Sequence, residues 1–226
     1  MRYLFCLLLL CSSLVAAPPK VVIFDYGGVV AKVDRRPVIG FLSESLDIPY
    51  RKVKKDFSSE KFYIALNRSL NYWEHYSHKQ LSRDWIEELE RHKRMIVQPT
   101  LGMQDLILMI KNQGIQVALL SNTNTHRARF IESMGGYDLF DPVLLSCFLG
   151  VRKPHPKIYK KLLKNLKYPA KDCLFVDNQA QNVEAGKKMG INGIVFESVD
   201  QLAEALKQEG IELKISHRGT RSAEKL

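Results

Sequence analysis

The spacing of hydrophobic positions changes twice along the chain. Val21–Phe24 is a short, continuous apolar run, which is typical of a strand buried on both faces of a sheet. From about residue 34 to residue 98, apolar residues recur every three or four positions, which predicts helices and no strand. From residue 101 onward, short apolar runs alternate with segments of helical spacing.

This second part of the chain predicts an alternating α/β fold. The predicted strands are 117–120, 142–146, 174–176 and 193–196, and the predicted helices are 102–113, 125–134, 156–166, 180–189 and 198–208. Strands that alternate with helices form a parallel sheet covered on both faces. The predicted fold class is therefore α/β, a doubly wound parallel sheet with a small all-helical cap inserted after the first strand. Such an insert lies over the carboxyl ends of the strands and can act as a lid.

The first 17 residues have a different character. Arg2 gives a positive start, Leu4 to Ala17 is almost wholly apolar, and the segment ends in small residues. This is the pattern of a secretory signal, and it is shorter than the roughly 20 apolar residues of a membrane span. We expect an exported protein, periplasmic or secreted, with no stable span after cleavage and a membrane anchor if the leader is retained. The predicted divisions are a signal peptide (1–17), a core (18–33 and 99–212), a helical cap (34–98) and a mobile basic tail (213–226).

Composition and charge limit the classes of binding partner. The formal net charge is +10, with basic clusters at residues 51–55 and 91–94 and in the tail. Such a balance favours anionic partners, although solvated helix faces also explain it. No helix-turn-helix, zinc-finger or RNA-binding motif accompanies the charge, so we expect no nucleic-acid partner. Cys147 and Cys173 remain after loss of the leader, and they lack metal-ligand spacing.

Polar side chains follow the predicted strands. Asp25 follows the first strand and Ser121-Asn122-Thr123 the second, Lys153 precedes a helix, and Asp177-Asn178 follows a later strand. The carboxyl ends of parallel strands meet at one edge of the sheet, so we expect these groups to converge.

Together these groups suit phosphoryl transfer. Asp25 and Asp177 offer the oxygen ligands that Mg²⁺ prefers. Ser121 and Asn122, with free backbone N–H groups ahead of a helix, suit phosphate oxygens, and Lys153 adds positive charge where the transition state becomes negative. Asp25 can then act as the nucleophile and form an aspartyl-phosphate.

The same residues resemble the four motifs of the haloacid dehalogenase-like (HAD) hydrolase superfamily over about residues 20–210. Residues 24–29 resemble the first motif, Ser121 the second, Lys153 the third, and residues 176–178 with Asn182 the fourth. The similarity is greatest to helical-cap members of the sugar-phosphatase and epoxide-hydrolase N-domain type.

The resemblance implies a role for each of these residues. Asp25, the backbone carbonyl of Gly27 and Asp177 would bind Mg²⁺, with Asn178 and Asn182 supporting them. The implied order of the strands also places Cys147 and Cys173 far apart, which predicts two free thiols.

Gly27 departs from the motif. Most phosphatases that the sequence resembles carry a second Asp there, which protonates the leaving group. The main hypothesis is an exported Mg²⁺-dependent phosphohydrolase that acts on a small phosphorylated metabolite. Two alternatives stay open: a 2-haloacid dehalogenase-type hydrolase, and a catalytically weak domain that binds a phosphorylated ligand. Three residues of the insert, Glu74, His75 and His78, are candidates for the missing proton donor.

His155 is a second departure from the motif. Relatives usually have Asp at this position, where it would cap the following helix, and histidine is a poorer cap.

Overall fold

The computed structural model describes residues 17–58 and 60–213. Nearly all of the predicted leader lies outside these residues, as does the predicted basic tail from residue 214 onward. Among the helices in the described part of the chain, none combines the length and the apolar character needed to cross a membrane.

A central parallel sheet organises the molecule. The strands are β1 (Val21–Phe24), β2 (Ala31–Val33), β3 (Val97–Pro99), β4 (Gln116–Ser121), β5 (Val143–Leu145), β6 (Cys173–Asp177) and β7 (Asn192–Val195). The helices are α1 (Arg36–Leu46), α2 (Tyr50–Asp56), α3 (Glu60–Ala65), α4 (Leu70–Ser77), α5 (Trp85–Arg94), α6 (Met103–Asn112), α7 (Thr125–Ser133), α8 (Ser146–Leu149), α9 (Pro156–Leu166), α10 (Ala180–Lys187) and α11 (Val199–Gln208). Five of the strands form the sheet in the order β5-β4-β1-β6-β7, and every neighbouring pair is parallel.

The first strand lies at the centre of the sheet because its residues are apolar on both faces. Val22 and Phe24 pack into one hydrophobic cluster, whereas Val21 and Ile23 pack into a second cluster on the opposite face. All four residues are fully buried. The helices therefore cover both faces of the sheet, and the predicted α/β fold class is confirmed.

Five consecutive helices, α1 to α5, form an insert between β2 and β3. The prediction of no strand between residues 34 and 98 is wrong at the end of this stretch, because β3 pairs antiparallel with β2. Each of these strands has only three residues, too few for an alternating pattern to be distinguished from helical spacing. This pairing places the two connections between the sheet and the insert next to each other.

Aromatic packing holds the insert together. Trp73 is fully buried and packs against Phe57 and Trp85, with ring centroids 5.3 and 5.6 Å apart. The insert also contacts the sheet domain, where Tyr63 of α3 lies 5.4 Å from Phe130 of α7. The insert thus packs against the helix that follows β4.

The two cysteines of the described chain are free thiols, as predicted. Cys147 follows β5 at one edge of the sheet, whereas Cys173 begins β6 on the far side of β1. They lie at opposite ends of their strands, which is the arrangement that the resemblance implies.

Candidate active site

The polar residues predicted at the strand ends do converge. Asp25 directly follows β1, Ser121 is the last residue of β4, and Asp177 is the last residue of β6. Lys153, from the loop between α8 and α9, and Asn182 of α10 are further buried polar residues at this edge of the sheet. We call the space beside them the Asp25 cleft; its volume is about 310 Å³, and Asp25, Gly27, Ser121 and Lys153 lie in its wall.

Lys153 is the central contact of the site. Its ammonium lies 2.8 Å from Asp25 Oδ1 and 2.6 Å from Asp177 Oδ2, and it donates to the Leu120 carbonyl at 2.7 Å. All three N–H groups are therefore used, and the side chain is 1% exposed. One buried cation thus stands between two buried carboxylates, which leaves this group of three with a net negative charge.

Asp177 is fully enclosed by donors. Besides Lys153, its oxygens accept from Gln179 N at 2.8 Å and from Asn182 Nδ2 at 3.1 and 3.0 Å. Asn182 Oδ1 is buried and has no hydrogen-bond partner in the part of the chain that the structure describes, although a buried acceptor ordinarily has one. The site therefore holds an unsatisfied oxygen within the same residue that binds Asp177.

The Asn122 side chain positions the lysine loop. Its Nδ2 donates to the Lys153 carbonyl, and its Oδ1 accepts from Lys153 N, both at 2.9 Å. Both ends of the amide are therefore engaged, which leaves the second Nδ2 N–H, besides the backbone, for binding a phosphate. The loop is also fixed downstream, where His155 Nδ1 accepts from Lys157 N at 3.1 Å and caps α9.

Two glycines shape the entrance to the cleft for different reasons. Gly28 has φ = +85°, and a Cβ there would lie 2.5 Å from Asn178 Nδ2, so a side chain cannot be accommodated without movement. Gly27 has no such restriction, because the nearest atom to a Cβ there is Arg127 Nη2 at 3.6 Å. The lack of a side chain at position 27 is therefore not imposed by the backbone or by crowding.

Burial changes the electrostatics of the nucleophile candidate. The pKa of Asp25 is raised above its ordinary value because burial disfavours the carboxylate, and the nearby Lys153 opposes this only in part. Asp177 adds like charge and raises the pKa of Asp25 further. The site thus favours any additional positive charge that would hold Asp25 ionised.

Sequence reasoning missed Arg127, in the first turn of α7. Its guanidinium lies in the wall of the Asp25 cleft, beside the position where a side chain of residue 27 would extend. An arginine in the third position of a helix carries no motif, and only the folded position of α7 beside the Asp25 cleft brings it here. The three candidate donors of the insert are not in this wall. Glu74 instead accepts from Leu81 N at 3.0 Å, and His75 and His78 are exposed.

Comparisons with known proteins identify relatives of the chain. A family model described as haloacid dehalogenase-like hydrolase matches residues 19–190. The chain is 29% identical over 185 residues to D-ribitol-5-phosphate phosphatase of Bacteroides thetaiotaomicron, covering 76% of this chain and 88% of that protein. It is 36% identical over 114 residues to a flavin mononucleotide hydrolase of Arabidopsis thaliana, covering 50% of this chain and 46% of that protein. The chain spans about half or less of the length of several curated relatives that it matches.

Solved structures share the fold. An enzyme of the same family from Bacteroides thetaiotaomicron superposes with a TM-score of 0.55 at 20% identity, covering 84% of this chain and 98% of that one. Its complex with magnesium and inorganic phosphate superposes with a TM-score of 0.53 at 19% identity, covering 80% and 96%. The arrangement of sheet and helices therefore recurs in proteins of similar size.

Proposed function

The chain belongs to the haloacid dehalogenase-like hydrolase family, and on that premise we propose that it is a Mg²⁺-dependent phosphohydrolase acting on a small phosphorylated metabolite. The observation that carries the proposal is the buried contact of one lysine with two carboxylates at the carboxyl end of a parallel sheet. Relatives named D-ribitol-5-phosphate phosphatase and glyceraldehyde 3-phosphate phosphatase support this substrate class.

The donor set fits a magnesium ion. Asp25, the Gly27 carbonyl and Asp177 would hold it, and Mg²⁺ accepts few protein oxygens because it keeps several waters. No cluster of three or more His, Cys, Asp or Glu occurs in the described ranges, so the metal would depend on this small set. The net negative charge around Lys153 and the unsatisfied Asn182 Oδ1 both favour a cation here. The ion would neutralise phosphate oxygens and lower the barrier to attack by an anion.

The chain's own residues supply the remaining steps. Asp25 would attack phosphorus through a carboxylate oxygen while the bond from phosphorus to the ester oxygen breaks, and the alcohol leaves with the electron pair. Ser121 would hold the phosphate oxygens, and Lys153 would stabilise the negative charge that develops on them. Water then cleaves the aspartyl-phosphate and restores Asp25.

The departing alcohol has to take a proton from water, because Gly27 provides no acid. A missing general acid costs about 10²–10⁴ in rate. We therefore expect a preference for good leaving groups, such as those of acyl phosphates and sugar 1-phosphates, which need less protonation.

A single assay panel tests this function. Purified protein is incubated with phosphate esters, sugar 1-phosphates and 2-haloacids, in Mg²⁺ and in EDTA. We expect phosphate release that needs Mg²⁺, disappears in Asp25→Asn and persists in the matched control Asp105→Asn, whose side chain is exposed on α6. Halide release in EDTA would instead identify a dehalogenase. No turnover on the whole panel, with a phosphorylated ligand still bound, would identify a binding domain.

We also propose that the protein is exported, on the basis of the residues 1–17 described above. N-terminal sequencing of protein recovered from the cell exterior or periplasm tests this. A new N-terminus near residue 17 is expected, and intact protein found only inside the cell contradicts export.

A further inference from the structure

Arg127 joins the Asp25 cleft to a second cavity. We call this space the Arg127 cavity; its volume is about 510 Å³, and its wall includes Arg127, Arg152, Ser146 and Cys147. Asn122 and Arg127 lie in the walls of both spaces, so the two are neighbours across the same side chains. A ligand whose phosphate sits beside Asp25 would therefore extend past Arg127 into the Arg127 cavity.

The Arg127 guanidinium has an N–H that no acceptor among the described residues satisfies. This N–H is on Nε, which is buried and has no hydrogen-bond partner within residues 17–58 and 60–213, although buried donors are ordinarily satisfied. No carboxylate of the described residues lies within ion-pair distance of Arg127 or of Arg152. A half-buried arginine with an unused N–H at the wall of an open space is suited to bind an anion from outside the chain.

The lining of the Arg127 cavity has one sign of charge. Its charged side chains are Arg127 and Arg152, and no carboxylate of the described residues lines it; the other polar groups are neutral amides, hydroxyls and the Cys147 thiol. A third space of about 360 Å³ touches Arg127 from the insert side and adds Arg35, and the described residues in its wall include no carboxylate. A neutral sugar would leave these charges unpaired, whereas an anionic group would pair with them.

We propose that the Arg127 cavity is a second anion-binding subsite and that the substrate carries a carboxylate or a second phosphate beside the phosphate that is cleaved. Arg127 and Arg152 bind that second group. The proposal rests on the proposed function, and it narrows the substrate class from phosphorylated metabolites to doubly anionic ones.

Matched substrate pairs test the subsite. The pairs are 3-phosphoglycerate with glycerol 3-phosphate, and fructose 1,6-bisphosphate with fructose 6-phosphate; the first isolates a carboxylate and the second a phosphate. We expect kcat/KM to favour the doubly anionic member of at least one pair by about 10- to 100-fold, the range of one charge-assisted hydrogen bond. This ratio should fall toward one in Arg127→Gln and in Arg152→Gln. Arg129→Gln, an exposed arginine on the same helix, should keep the wild-type ratio.

A wild-type ratio near one for both pairs would overturn the subsite, and so would a ratio that survives in both glutamine variants. Hydrolysis of the singly charged esters would continue in the first case, so the proposed function would stand while the subsite failed.

A binding measurement covers the case in which nothing is hydrolysed. Calorimetry on Asp25→Asn protein, titrated with 3-phosphoglycerate and then with fructose 1,6-bisphosphate, reads the subsite without turnover. We expect one of these ligands to bind, and its affinity to drop by about tenfold or more when Arg127→Gln is added. Equal affinity with and without Arg127, or no binding of either ligand, would refute the proposal.

Discussion

At the scale of single residues, two features define the site. Position 27 has no carboxylate side chain, and Arg127 lies beside that position. Gly27 has room for a side chain, and the nearest group is the Arg127 guanidinium. The sequence revealed the missing carboxylate because the surrounding motif is strong. It could not reveal Arg127, because nothing local to residue 127 indicates that it approaches residue 27.

We expect Gly27→Asp alone to leave turnover of glycerol 3-phosphate at or below the wild-type rate. The new carboxylate would pair with Arg127, which keeps it ionised and unable to donate a proton. In an Arg127→Gln background the same change should raise turnover by about tenfold or more, because a free carboxyl can act as the acid. Steady-state rates of the wild type, Gly27→Asp, Arg127→Gln and the double variant form a double-mutant cycle. A large gain from Gly27→Asp alone would contradict the expected pairing.

The two thiols should differ in reactivity. Burial raises the pKa of Cys173 to about 11, whereas Cys147 is half-buried in the wall of the Arg127 cavity. The thiolate is the form that reacts, so at pH 8 we expect iodoacetamide to modify Cys147 and to spare Cys173 in the folded protein. Peptide mapping by mass spectrometry measures this.

Both thiols should react in denaturant, which serves as the control.

Since the unfolded thiol has an ordinary pKa, the contribution of Cys173 to the free energy of unfolding is full below pH 9 and is lost as the pH rises toward 11. Rapid modification of Cys173 in folded protein at pH 8 would show that this end of β6 opens.

At the scale of elements, the capping of α9 departs from expectation in a measurable way. His155 was expected to be a poorer cap than aspartate, yet its Nδ1 accepts from Lys157 N. Neutral imidazole satisfies the donor, but it adds no negative charge at the positive end of the helix. The prediction that aspartate is the better residue therefore depends on charge as well as on hydrogen bonding.

We expect His155→Asp to stabilise the protein by about 0.5–1 kcal/mol. In a domain of this size, 1 kcal/mol shifts the melting temperature by about 2–4 °C. His155→Ala, which removes the acceptor, is the control and should lower it. Differential scanning fluorimetry gives both values, and an unchanged or lower melting temperature in His155→Asp would refute the capping argument.

Elements that were long and strongly patterned could be predicted from the sequence. The helix at Pro156–Leu166 has the predicted bounds, since its proline starts it and its buried residues repeat every three to four positions. The β4 and β6 strands each extend one residue further than predicted at both ends, so Ser121 and Asp177 are the last strand residues rather than the first loop residues. A polar residue ends an apolar run in the sequence, but the hydrogen-bonded strand continues through it. The hydrophobic pattern therefore predicted strands that are too short.

At the scale of the whole molecule, charge is arranged differently from what the sequence emphasised. The basic cluster at residues 51–55 lies on α2, where Lys52, Lys54 and Lys55 are exposed on the insert. The cations around the Asp25 cleft and the Arg127 cavity come instead from four scattered positions, Lys32, Arg127, Arg152 and Lys153, and Arg35 adds a fifth in the third space. Their convergence depends on the order of strands and loops in space, which a linear charge pattern does not contain.

The position of β1 also governs how the chain must fold. This strand is made first, yet its two partners are β4 and β6, and Val21 pairs with Gln116 on one side and Cys173 on the other. During synthesis, the apolar Val21–Phe24 segment therefore waits for its neighbours until most of the chain has been translated. Contacts so distant in sequence slow folding and leave the segment open to aggregation in the interim.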